Sequence, residues 1–83
     1  MEKMNLLDKA EFLREYANAI VAKYTVYIAK NKIAIADTEN EYRVRCNRAV
    51  ALKDKALYIK SEDEYNEILA ELEKLKEAFE NGK

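Results

Sequence analysis

The chain has no proline, no histidine and no tryptophan, and only one glycine and one cysteine among its 83 residues. With no proline and the single glycine at position 82, the strongest local breakers are missing, so long helices meet little opposition. The lack of histidine removes the commonest general base near neutral pH and the commonest metal ligand. Cys46, alone, forms no intrachain disulfide, which favours a reducing compartment. One thiol and no imidazole also fall short of the four ligands of a zinc site. No glycine-rich loop is present to cradle a phosphate.

Long apolar runs are missing too. The most apolar stretch, Tyr16 to Ala29, spans 14 residues and is interrupted by Asn18, Lys23 and Thr25, whereas a spanning helix needs about 20. The opening Met1-Glu2-Lys3-Met4-Asn5 leads into alternating charge and has no secretory pattern. The expectation is a cytoplasmic, soluble protein without membrane contact, metal or cofactor, and not an enzyme. Cys46 has basic neighbours in Arg43, Arg45 and Arg48, but a nucleophilic thiol also needs a positioned base and a pocket, so a small buried core residue is the simpler reading. Glu67 and Glu71 lie four apart on one helix face without an accompanying histidine, which reads as a solvated face.

What is present is helical periodicity over the whole length, read as a single helical domain, residues 1–83. A first helix is expected over 6–30, opened by Asn5 as cap with Asp8 in its first turn. Its apolar stripe runs Leu6, Ala10, Leu13, Ala17, Ile20, Tyr24 and Ile28, widened by Phe12, Tyr16, Val21 and Tyr27 beyond what one neighbouring helix covers. Lys30-Asn31-Lys32 marks a break, and a second helix is expected over 33–60. Thr38-Glu39-Asn40-Glu41 has the form of a capping box, so an irregular stretch as far as Asp37 is the alternative start. A β-hairpin pairing residues 25–28 with 33–36 is a further alternative, disfavoured because isolated hairpins are marginal. The third helix is expected over 62–80, capped by Ser61-Glu62-Asp63-Glu64, with Tyr65, Ile68, Leu69, Leu72, Leu75 and Phe79 as its core stripe. Asn81-Gly82 is expected to end it.

Charge is unevenly placed. Residues 1–29 are neutral, residues 30–60 carry a net +4 and residues 61–83 a net −5, inside a total of −1. On the second helix Ile35, Tyr42, Cys46, Ala49, Val50, Ala56 and Leu57 gather on one side as core material, while Arg45, Arg48, Leu52, Lys55 and Ile59 form a second, mixed strip. The mixed strip has three readings. Helix 3 of the same or of another copy lies alongside it with its glutamates facing the cations, or it meets an acidic protein partner. In the third, Arg43, Arg45, Arg48, Lys53 and Lys55 contact nucleic acid. The acidic final helix is in turn either a solvated face or a phosphate mimic using Glu62, Glu67 and Glu71.

A chain this short buries a modest fraction of its surface, and the balance of burial against chain entropy comes out near zero, so self-association is the expected remedy. Tyrosine-rich helix 1 suits an interface. The expected contact residues are Tyr16, Ile20, Tyr24 and Tyr27 on helix 1, Leu52 and Ile59 on helix 2, and Leu72 and Phe79 on helix 3. The fold expected is therefore all-α, a three-helix bundle or elongated hairpin completed by self-association. The function expected is a small protein-interaction module acting as a homo-oligomer, a dimer by preference, of the regulator or inhibitor type found in bacteria and phages.

Overall fold

Asn5 opens the described structure as a helix cap: its side-chain oxygen accepts from the Asp8 amide at 2.8 Å, while Asp8 sits in the positive first turn. A computed structural model describes residues 5–81, which form α1 (Leu6–Lys30), α2 (Glu41–Ala56) and α3 (Glu62–Asn81) in an all-α three-helix bundle. Gly82, the expected stop for the last helix, lies outside the described residues. No strand occurs among those described, and residues 25–28 are interior to α1, so the hairpin alternative is not formed.

α1 ends by a Schellman motif. The Ile33 amide donates to the Ile28 carbonyl at 3.1 Å and the Lys32 amide to the Ala29 carbonyl at 3.2 Å, with Lys32 in the left-handed region at φ 52°. Asn31 adds a side-chain bond to the Tyr27 carbonyl at 2.9 Å. The left-handed position thus falls on a lysine, one residue past the asparagine that favours it.

The second helix differs from the expected 33–60. Tight turns occupy the stretch after Ile33, with Asp37 donating to the Ala34 carbonyl and Thr38 to that of Ala36. Thr38 does not cap α2; Asn40 does, accepting from the amides of Tyr42 at 2.9 Å and Arg43 at 3.3 Å. One asparagine oxygen answers two of the free amides of the first turn. At the far end Leu57 and Tyr58 donate to carbonyls three residues back, tightening the last turn, and the chain leaves the helix at 57. Ser61 then caps α3 as expected, accepting from the Glu64 amide at 3.2 Å.

The order is up, down, up. Lys9 meets Glu62 near the starts of α1 and α3, and Lys23 faces Glu80 at 3.9 Å near their ends, so these two run parallel. Thr25 faces Cys46 at 3.8 Å, while Leu57 shares a groove with Leu7, Ala10 and Arg14, so α2 runs antiparallel to α1. The core is Leu13, Ala17, Ile20 and Tyr24 of α1, Ala49, Leu52 and Ala56 of α2, and Ile68 and Leu72 of α3. Three alanines among the nine let the helices approach closely. The wheel reading of α2 needs correcting, because Leu52 belongs to the core and Val50 and Leu57 are exposed, as is Ile35 at 83 % in the connection. α2 packs on two neighbours, so its buried face lies between the two sides read from the sequence.

Tyr24 gathers all three helices. It is fully buried, its hydroxyl donates to the Leu75 carbonyl at 2.7 Å, and its ring lies edge-on to Phe79 at 5.1 Å and tilted to Tyr42 at 6.2 Å. Tyr27 stacks on Tyr42 at 4.1 Å beside them. Burial, above all, raises the Tyr24 phenol above its ordinary 10.0, with the Arg45 guanidinium opposing. Folding thus favours the neutral phenol, and this contribution is present below pH 10 and lost as pH climbs through the folded value.

Two outcomes follow for urea unfolding. Tyr24→Phe costs about 1 kcal/mol at pH 7 through the lost hydrogen bond, and it flattens the fall in stability above pH 10; an unchanged alkaline profile would contradict the burial argument. Lys32→Gly raises stability by about 0.5–1 kcal/mol by removing the left-handed strain of a side-chain-bearing residue, and a loss instead would contradict the assigned backbone.

Candidate interaction surface

The basic residues of α2 do not form one surface. The Arg48 guanidinium grips Glu71 of α3 in a two-pronged pair, Nε to Oε2 at 2.5 Å and Nη2 to Oε1 at 2.6 Å. Arg45 turns toward Glu41 at 3.9 Å and lies 5.8 Å from the Tyr42 ring centre. Arg43 reaches the other way and donates to the Ile33 carbonyl at 2.9 Å, holding the connection against α2. Lys53 is half-buried, and Lys55 is exposed in a shallow groove with Tyr58, Glu64, Glu67 and Ile68. Leu52 is buried and Ile59 packs against the core from the α2–α3 connection. α3 of the same chain therefore meets the mixed strip at Arg48 and Leu52, while Arg45 stays within α2 and Lys55 remains exposed.

Arg48 holds the Glu71 carboxyl below its ordinary value of 4.5, chiefly by the hydrogen bond. Both side chains remain about two-fifths exposed, at 43 % and 40 %, so solvent limits the pair to about 0–1 kcal/mol. Its main effect is to set how α2 and α3 slide against each other.

Of the expected contact residues, Tyr24, Leu52 and Leu72 are buried within the single chain and present no surface to a partner, and Ile20 is buried with only its edge lining the α1–α3 groove. Tyr16, Tyr27, Ile59 and Phe79 are half-buried at the core margin. Tyr16 and Phe79 border a groove between α1 and α3 that continues through Ala19, Lys23 and Lys76 to Ala22, Val26 and Glu80. Phe12 extends it toward the start of α1, its ring 5.9 Å from that of Tyr16. Phe12 and Val26 are 40 % and 52 % exposed, and Lys76 lies 6.0 Å from the Tyr16 ring centre. The floor is apolar and the ionic groups stand along its edges.

The outer stripe of α1 is an exposed surface that the sequence pattern does not announce. Asp8, Phe12, Glu15, Ala19, Ala22 and Val26 recur at four and three residues, the same rhythm as the core stripe. Two acids and two alanines among the six disguise it in an apolar scan. A second exposed apolar group, Leu7, Val50 and Leu57, lies on the α1–α2 side. Cys46 is half-buried beside Thr25, and among the described residues no cluster of acidic, cysteine or histidine side chains is placed to hold a metal. No described helix is long and apolar enough to cross a membrane.

Comparison with protein-family models, with curated proteins and with solved structures finds no match to this chain.

Glu71→Gln lowers stability by up to about 1 kcal/mol at pH 7, and the difference from the parent closes as pH falls through the depressed Glu71 value, below the ordinary 4.5. Urea unfolding at pH 7 and at pH 3 checks this. A difference that persists undiminished at pH 3 would show that the ion pair is not its source.

Proposed function

We propose that the chain is a non-enzymatic protein-interaction module that works as a homo-oligomer, a dimer at its simplest, with the α1–α3 groove as its contact surface. A role as a small regulator or inhibitor of a partner protein fits such a module. The observation that carries the reading is the groove, in which Tyr16, Ala19, Ala22, Val26 and Phe79 leave apolar surface uncovered along one long side of an elongated outline of 44 × 22 × 16 Å.

Nucleic-acid binding has less support. Arg43, Arg45 and Arg48 are engaged within the chain, and Glu64 and Glu67 share a groove with Lys55. Phosphate mimicry by α3 loses Glu71 to Arg48.

Light scattering at tens of micromolar tests the proposal. The expected mass is twice 9.7 kDa, and it persists at high salt because apolar contact supplies most of the affinity. A strict monomer at both low and high salt would overturn the proposal.

A further inference from the structure

We infer that two copies pack antiparallel along the outer stripe of α1, about a twofold axis that passes beside Ala19. The inference rests on the homo-oligomer reading above and adds its geometry. In a twofold antiparallel pair, each residue faces the one equally far beyond the axis in the partner copy. With Ala19 on the axis, Phe12 faces Val26, Glu15 faces Lys23 and Asp8 faces Lys30, at seven, four and eleven residues on either side. All lie on the outward side of α1 at the four-and-three spacing of one helix face. Every acid of that stripe thus meets a lysine, and both large exposed hydrophobics meet each other.

The small residues lie where the helices come closest. Ala19 is exposed at the centre of the stripe, and Ala22 is exposed one turn on, so two backbones can approach to the short end of the usual 8–10 Å between packed helix axes. Asp8, Glu15 and Lys30 are exposed and make no ion pair among the described residues, and Lys23 has only the loose contact with Glu80 at 3.9 Å. Their charges are available to a second copy. The other exposed apolar group, Leu7, Val50 and Leu57, has no such reversal about a centre. A charge order that complements itself under a twofold names the occupant: another copy of this chain.

The test uses the full chain in a Cys46→Ser background. Ala19→Cys places two thiols across the axis and is expected to give a disulfide dimer under mild oxidation, whereas Glu15→Cys, four residues off the axis, is not. In a second arm, Lys23→Glu weakens the dimer on the order of tenfold, since it sets two like-charge pairs in the interface. Adding Glu15→Lys restores it, because the swapped pair again meets its opposite in the partner. Circular dichroism confirms that each variant is folded. A dimeric parent in which Ala19→Cys fails to cross-link and the double variant stays as weak as the single one would overturn this arrangement alone. A monomeric parent would overturn the homo-oligomer reading with it.

Discussion

A phenol with no access to water must find its hydrogen bond inside the protein, and the rest of this bundle depends on how Tyr24 does so. Its hydroxyl reaches the Leu75 carbonyl, which fixes the height of α3 against α1. The same ring meets Phe79 edge-on and Tyr42 at a tilt, so α2 is brought to the same level. Around this cluster the contacts are of ordinary strength. Alanines at 17, 49 and 56 allow close approach, leucines at 13, 52 and 72 fill the axis, and the far end is held by Lys9 against Glu62 and over the Tyr65 ring.

The charge imbalance along the chain follows from this arrangement. α1 packs on both other helices, and where α2 and α3 meet beside it the Arg48–Glu71 fork joins the basic segment to the acidic one. Half-exposed pairs of this kind choose an alignment and contribute little energy. The opposed charges thus meet within one chain at Arg48 and Glu71, while helix 1 carries a surface of its own. It supplies one face to the core and Tyr16 and Tyr27 to the α3 side, and it turns a third stripe outward.

Legibility in the sequence followed the strength of local signals. Asn5 and Ser61 each stand alone as caps, and α1 and α3 begin where they direct. At α2 the capping-box form points to Thr38, yet Asn40 two residues on is the cap, and the apolar Ile33-Ala34-Ile35-Ala36 before them suits a helix as well as a turn. Only the tertiary requirement to reverse direction chooses between helix and turn there. The end of α2 has no glycine or proline to announce it. A helical wheel sets Leu52 off the core because it carries no sign that two neighbours share one helix; the same limit sets Ile20, Tyr24 and Leu72 at an interface, whereas the single chain buries them. The outer stripe escaped because Asp8 and Glu15 occupy apolar beats of the period, and their meaning depends on a partner surface.

On the proposed packing, α1 has one face inside the chain and one toward a second copy. Isotope-filtered NMR on a mixture of labelled and unlabelled chains tests this most directly. Intermolecular contacts between the Phe12 ring and the Val26 methyls are expected. Intermolecular contacts confined to Leu7, Val50 and Leu57, with none between Phe12 and Val26, would contradict it.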